Sequence, residues 1–324
     1  MKKFALVMLL VIVAGSLFAT GEAEKVKTYP SEPVQCIIPY SPGGGSDILT
    51  RAIMKYIEMD QPLVAVNIEG AGGMIGAMEA YHSKPTGYRI LAHNPMDVVS
   101  YTLSGQTDVA LWSELETICF VVDDFNVVST NKQSGWKTLE EMVAYAKANP
   151  GKIKWGVTGS QTVNMADTVR VVEALGLTGI VTLVPYDGGA ASKTALMGNH
   201  IQVETNSSSD IRSSVKSGDT IPLMSISSDR PKALPNVPTT IEKGIKVSTS
   251  KPRGYYAPKG TSPEAIAYLA NAIKKVVDNP EFVKTVEGLG LQANFVEGKA
   301  GYDKVSAWVT ELTPFFKQLS QGNK

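Results

Sequence analysis

Short runs of apolar, β-branched residues alternate along this chain with longer stretches whose apolar residues recur every three or four positions, and this alternation restricts the fold more than any other feature. The strand candidates are Val34–Pro39, Leu63–Ile68, Arg89–Ala92, Ile118–Val122, Val127–Thr130, Ile153–Val157, Val181–Pro185, Ile201–Glu204, Ile221–Ser227 and Gly254–Ala257. Helices with readable caps lie between them. Thr138 and Glu141 form a capping box ahead of Leu139, Met142, Val143 and Ala146, and Asn149-Pro150-Gly151 ends that stripe. Ser262-Pro263 starts a helix whose Ile266, Leu269, Ile273 and Val276 share a face, and Val305, Trp308, Val309, Leu312 and Phe316 repeat the spacing near the end. Strands alternating with helices imply an α/β fold of parallel sheets with helices on both faces. At about 150 residues per domain, 324 residues suggest two domains.

Composition narrows the class. Lys plus Arg is 31 and Asp plus Glu is 31, so the chain has no net basic footprint and no nucleic-acid partner is expected. Two cysteines exclude a disulfide scaffold and a four-thiolate zinc site; Cys36 and Cys119 lie inside apolar runs and are expected as buried, unpaired strand residues. Lys2 and Lys3, the apolar run Phe4 to Ala14 and the small residues that follow read as a signal peptide over residues 1–21. Thr20 stands where a lipoprotein box needs cysteine, so no lipid anchor is expected. The exported chain then has 31 − 2 = 29 basic residues against 31 acidic ones, a charge of −2, and is expected to be soluble outside the cytoplasm.

In α/β sheets, ligands bind at the carboxyl ends of strands, where loops lead into helix N-termini. Five such exits stand out: Pro39 to Asp47, with glycine at 43, 44 and 45; Glu69 to Gly76, with glycine at 70, 72 and 73; Thr158 to Asn164; Pro185 to Ala190; and Asn206 to Asp210. Glycine lets a backbone approach a ligand closely, and a helix start presents free N–H groups with the positive end of its dipole, an arrangement suited to an anion. Each loop taken alone is equally ordinary turn and cap chemistry. Catalytic patterns are missing. Gly45 is followed by Ser46-Asp47 rather than the lysine of a phosphate loop, Ile75 stands where a dinucleotide fingerprint needs glycine, and neither Ser46 nor Ser160 is flanked as a nucleophile elbow requires. No cofactor and no metal are expected. Of the three histidines only His93 leaves a strand toward the crevice; Asp123-Asp124 reads as a solvated turn pair, with cation coordination as the alternative, and Arg51, Arg170 and Arg212 as residues of solvated helix faces, one of which could reach a second carboxylate.

The blocks Tyr29-Pro30-Ser31-Glu32-Pro33-Val34, Ile37 to Gly44 with Asp47 and Arg51, Gly70 to Gly73 with Ile75-Gly76-Ala77, and Pro85-Thr86-Gly87-Tyr88 resemble the opening signature of the tripartite tricarboxylate transporter substrate-binding proteins, the Bug family. Val184-Pro185-Tyr186 with Gly188-Gly189, Leu234 to Thr239 and Ala257 to Thr261 continue it in family order. The resemblance implies a two-lobed periplasmic binding protein type II-like fold, each lobe a mixed, mostly parallel sheet flanked by helices: residues 25–127 plus 250–324 form lobe 1 and 128–249 lobe 2. It implies a receptor that closes on a small organic anion, a carboxylate, and delivers it to the integral-membrane subunits of a tripartite transporter, acting as a periplasmic monomer and not as an enzyme.

The residues it places at the ligand are Tyr40, Pro42, Gly43, Gly44, Ser46 and Asp47, then Ala71, Gly72 and Gly73, with Asn94 from the third strand exit. From the opposite lobe come Ser160, Gln161, Thr162, Tyr186, Gly188, Gly189, Asn206 and Ser207. The chain departs from the family pattern at Met165, where relatives carry histidine, at Asn206, where aspartate is common, and at Pro252, where tryptophan is frequent. The competing reading is a secreted hydrolase or transferase using Asp47 or Asp187 with a hydroxyl.

Overall fold

The structure is a computed structural model that describes residues 28–40, 42–160, 162–186 and 188–322. The signal peptide expected at 1–21 and the candidate Gln161 lie outside the described residues. In chain order the first part comprises β1 (Val34–Ile38), α1 (Gly45–Tyr56), β2 (Leu63–Asn67), α2 (Met74–Tyr81), β3 (Arg89–His93), α3 (Pro95–Leu103), α4 (Leu111–Glu114) and β4 (Leu115–Asp123). The middle comprises β5 (Asn126–Asn131), α5 (Leu139–Ala148), β6 (Lys154–Thr158), α6 (Val163–Ala174), β7 (Thr182–Tyr186), α7 (Gly189–Met197), β8 (Val203–Ser207), α8 (Ser208–Ser217) and β9 (Thr220–Ile226). The last part comprises β10 (Arg253–Pro258), α9 (Pro263–Val277), α10 (Pro280–Gly288), β11 (Gln292–Glu297) and α11 (Gly298–Gly322).

Two mixed sheets result, ordered β11-β4-β10-β3-β1-β2 and β7-β6-β8-β5-β9. The mixed sheets are those the resemblance implies; the alternation of strands and helices alone suggested parallel ones. Pairing is parallel across β2-β1-β3 and β7-β6-β8, but β10 and β11 run against the other strands of the first sheet and β5 against those of the second. The reason is the double crossing. β4 ends where the chain passes to the second sheet and β9 ends where it returns, so β5 and β10 begin at the junction from which they run away, opposite to strands that end there. β11 has no counterpart among the strand candidates, because only Phe295 and Val296 in its segment are strong strand formers; it pairs as an edge strand with β4.

Alternation along the central strands puts apolar side chains on both sheet faces. Cys36 and Ile38 pack with Leu49 and Ile53 of α1, Leu269 and Ile273 of α9 and Phe282 of α10. Ile37, Leu91, Phe120 and Tyr256 pack on the other face with Ala77 of α2, Val99 of α3 and Val305 of α11. Both cysteines are free and buried, and burial pushes both thiols up. In the second sheet, Trp155 is fully buried under α5 and α6 and donates Nε1–H to Thr205 Oγ1 at 2.9 Å. α11 joins the two layers: Leu312 and Phe316 pack against Met96 of α3 and Val163 and Ala166 of α6, and Arg170 bonds Glu311 at 2.8 Å. Arg170 is therefore tied across the halves rather than free on a solvated face.

Candidate functional site

The first two glycine-rich exits are welded together by one side chain. Asn67, at the end of β2, donates Nδ2–H to the Tyr40 carbonyl at 2.9 Å and to Asp47 Oδ1 at 3.1 Å. Asp47 Oδ2 accepts from the Gly43 amide and from Arg51 Nε, both at 2.9 Å. The Arg51 bond and those from Gly43 and Asn67 outweigh burial and hold the Asp47 carboxyl down to about 2. Asp47 is only 2% exposed, so this carboxylate folds the loop and is neither base nor nucleophile. Gly43 takes a φ of 81° to bring its amide to Asp47.

Tyr40 donates its hydroxyl to Asp97 Oδ2 at 2.9 Å, and its ring lies beside Gly73. From Gly70 to Gly73 every φ is positive, including 48° at Ala71, a turn that glycine supplies at little steric cost. The Gly73 amide closes the turn onto the Gly70 carbonyl at 3.0 Å, while Tyr101 donates to the Gly72 carbonyl at 2.8 Å. His93 is 2% exposed; its Nδ1 accepts from the Asn94 amide at 2.8 Å, which leaves the proton on Nε2, 3.0 Å from the Tyr101 hydroxyl. Burial lowers its pKa to about 4, so it is a neutral brace behind the turn.

In the second sheet the Gly159 amide donates to the Tyr186 carbonyl at 2.8 Å, which joins the third and fourth exits. Asn206 donates Nδ2–H to the Gly189 carbonyl at 2.9 Å and accepts from the Ser207 amide at 2.9 Å, which joins the fourth and fifth. Four of the helices that start at these exits have no side-chain cap: α1 at Gly44, α2 at Gly73, α7 at Gly188 and α8 at Ser207. Elsewhere the same protein caps its helices as its sequence suggests, α5 by the Thr138 box, α9 by Ser262 and α10 by Asn279. Among the described residues the first-turn amides of α1 and α7 have no acceptor and remain for an outside one, whereas at the start of α2 the Ile75 amide bonds the Gly70 carbonyl at 3.4 Å, and at the start of α8 the Ser208 and Ser209 amides bond the Phe125 carbonyl at 2.8 Å and Asp124 Oδ1 at 3.4 Å. Two candidates are committed differently: Asn94 Oδ1 accepts from Met96 N at 2.9 Å and Thr162 Oγ1 from Met165 N at 3.3 Å, so each caps its own helix. Pro42 and Ser160 are exposed at the loop tips, and Ser46 is half-buried.

The link between the halves runs through residues that sequence reading placed in solvent or did not single out. Asp124 is 0% exposed, which corrects its reading as part of a solvated turn pair. The Asp124 and Lys251 backbones bond each other in both directions where the crossing segments meet. Asp124 Oδ1 accepts from Phe125 N at 2.8 Å and Ser208 Oγ at 2.7 Å, and Oδ2 from Ser209 Oγ at 2.6 Å and Arg253 Nη2 at 2.9 Å. Burial opposes the charge, but Arg253, Lys251 and the two serines prevail and hold the Asp124 carboxyl below its ordinary value. Lys251 Nζ bonds Ser207 Oγ at 2.7 Å. Between Ser46, His93 and Arg253 the walls leave a cavity of about 10 Å³, room for one water and not for an organic acid.

A buried acid also escaped the sequence reading. Glu204 lies two residues before Asn206 on the same face of β8; Oε2 accepts from Ser192 Oγ at 2.8 Å and from Asn206 Nδ2 at 3.2 Å, while Oε1 has no partner among the described residues. Burial raises its pKa from 4.5 to about 7. Between those values the folded chain holds a proton that the unfolded chain has released, so stability falls as pH rises, by roughly 3 kcal/mol in all. Asp167, raised by burial to about 6, acts in the same direction. Glu204→Gln is expected to keep much of the stability that the native chain loses between pH 5 and pH 8. Urea unfolding at the two pH values measures this, and an equal loss in both chains contradicts it.

The two-sheet architecture with helices on both faces and two chain crossings is that of the periplasmic binding proteins. A family model described as tripartite tricarboxylate transporter family receptor matches residues 51–302, and the chain belongs to that family of periplasmic solute-binding receptors. BugT of Bordetella pertussis is 28% identical over 291 residues, covering 87% of this chain and 88% of that one. The crystal structure of a TctC solute binding protein from Polaromonas is 28% identical, with a TM-score of 0.73, 91% of this chain and 100% of that one covered. MatC from Rhodopseudomonas palustris, solved with bound malate, shares the fold at 20% identity and a TM-score of 0.73, with 90% and 99% covered. The family consists of binding receptors, so the chain is not an enzyme. Among the described residues no helix is long and apolar enough to cross a membrane.

Proposed function

We propose that this receptor captures a small organic acid between two lobes, residues 25–127 plus 250–324 and residues 128–249, and passes it as a monomer to the membrane subunits of a tripartite tricarboxylate-type transporter after export by its signal peptide. The observation that carries the reading is the pair of helix starts at Gly44 and Gly188, whose first-turn amides have neither a side-chain cap nor another acceptor among the described residues. A carboxylate desolvated there exchanges water for several charge-assisted hydrogen bonds, each worth about 1.5–3 kcal/mol net. The bound malate of MatC supports the ligand class. Closure follows from binding only because the ligand contacts both lobes at once, and so prefers the closed state.

Gly43, Asp47, Asn94, Thr162 and Asn206 serve this reading as the frame that holds the loops. Amides at Gly44, Ser46, Ala71, Gly72, Gly188 and Gly189, with the Ser207 hydroxyl, are the groups offered to the ligand. Calorimetry against malate, succinate, citrate and glutamate is expected to give saturable heat with at least one of them. Absence of both heat and thermal shift across the series overturns the reading.

A further inference from the structure

We propose that Glu204 positions the first turn of α7 for the ligand and takes up a proton as the acid binds, so that the receptor holds its ligand more tightly in mildly acidic than in mildly alkaline solution. The inference rests on the proposed carboxylate-binding function and adds a regulation of that same site.

Glu204 is 0% exposed on β8, and the first turn of α7 is fastened to it from two sides. Ser192 Oγ donates to Oε2 at 2.8 Å, and Asn206 Nδ2 donates to Oε2 at 3.2 Å while also bonding the Gly189 carbonyl at 2.9 Å. A single amide group therefore separates this carboxyl from the helix start. Both bonds fall on Oε2. Oε1 accepts none among the described residues, so a proton placed there breaks neither of them. Directly opposite Glu204 in the register of β5 and β8 stands Ser129, 0% exposed, whose Oγ is equally without a partner among the described residues. A hydroxyl accepts from a protonated carboxyl or donates to an ionised one, so this neighbour suits either state.

The surroundings decide which state a bound anion favours. Gly156 on β6 leaves the space beside Glu204 to Ile201, Ser192 and the Tyr186 ring, and Ile201 clusters there with Ala195 and Leu196 of α7. The charged and titratable groups that face Glu204 are Asp210 of α8, Lys193 of α7 and Tyr186 of β7. Asp210 lies against the same helix start, where a Cβ added to Gly189 would collide with its Oδ2 and with Asn206 Oδ1; Lys193 Nζ bonds the Asp210 carbonyl at 2.9 Å. An acid bound at the first turn of α7 brings a further negative charge to this enclosed place. Like charge disfavours an ionised carboxyl, and more strongly away from water. Burial raises Asp210 too, but Asp210 is only half-buried and Arg253 and Lys251 favour its charge, so Glu204, already held at about 7, is the acid that gives way. What the ligand does to the proton, the proton does to the ligand. Binding therefore takes up a proton, and affinity falls as pH rises past neutrality.

Malate, or glutamate should malate give no heat, is titrated calorimetrically into the native chain, Glu204→Gln and Asp210→Asn at pH 6 and pH 8, and at pH 7 in two buffers of different ionisation heat, with thermal melting to establish folding. The native chain is expected to bind about 3- to 10-fold more weakly at pH 8 than at pH 6 and to take up about half a proton per ligand at pH 7. In Glu204→Gln the amide oxygen accepts the same two bonds and the NH2 takes the place of a protonated Oε1. That variant is expected to show neither effect and to match the native affinity at pH 6 within about 2-fold. Asp210→Asn is expected to keep the proton uptake. A Glu204→Gln variant with the native pH dependence, or a native chain with equal affinities and no uptake, overturns the inference alone; a native chain that binds no acid of the series overturns the function it rests on as well. Should Glu204→Gln melt below the assay temperature, the buffer comparison decides: uptake in both the native chain and Asp210→Asn supports the inference, and its absence from either overturns it.

Discussion

Gly44→Val is expected to abolish carboxylate binding, by about 100-fold or more, while the folded state survives with a loss of about 1 kcal/mol. Gly44 is the N-cap of α1 with φ −73° and ψ 165°, extended backbone that valine adopts without strain. The change therefore acts by occupying space. A branched side chain at the cap stands beside the amides of Gly45 and Ser46 and keeps an acid from reaching them, removing two or three charge-assisted bonds together. Calorimetry with the best acid of the series and a urea melt of the same protein measure the two halves of the prediction. Native-like affinity would remove the first exit from the site. Gly73→Ala makes the contrast, because at a φ of 102° its Cβ would meet the Tyr101 hydroxyl at 2.8 Å and the Tyr40 ring at 3.1 Å; that variant loses stability along with binding.

The contrast shows what is legible from sequence. Strand periodicity and glycine at strand exits are local signals, and they located β1 to β10 and the turns at 42–47 and 70–73. Asn94 and Thr162 stand at strand exits and cap their own helices; a residue that caps a helix and one that donates to a ligand are of the same chemical type, and only geometry separates them. Met165 is 8% exposed and packs in the core with Trp155, and β8 carries Glu204 two positions before Asn206 on the same face.

What stayed hidden is contact between distant segments. Arg253 and Asp124 are 129 residues apart. Asp123-Asp124 between two apolar runs has the composition of an exposed turn, and nothing local says that the chain changes sheets there and that both its neighbours fold over it. The one available signal was a lone arginine opening an otherwise apolar strand just ahead of Gly254. A charge in that position requires a partner.

That partnership leads to the largest stability effect expected of a single substitution here. Asp124→Ala deletes the acceptor for Ser208, Ser209, the Phe125 amide and Arg253, and leaves a guanidinium 14% exposed without its counter-ion. Breaking a buried pair by removing one member costs about 3–5 kcal/mol, chiefly because the remaining charge is left desolvated and unpaired. Replacing both members avoids that penalty. Asp124→Ala with Arg253→Met is therefore expected to recover most of the loss in urea unfolding, since methionine covers apolar surface and requires no partner. If the double variant is as unstable as Asp124→Ala, the cost lies in the serine and amide bonds that tie α8 to the crossing rather than in the ion pair. Either result fixes which contact holds the start of α8 against the first sheet, and thus how firmly the second half of the site is positioned when a ligand arrives.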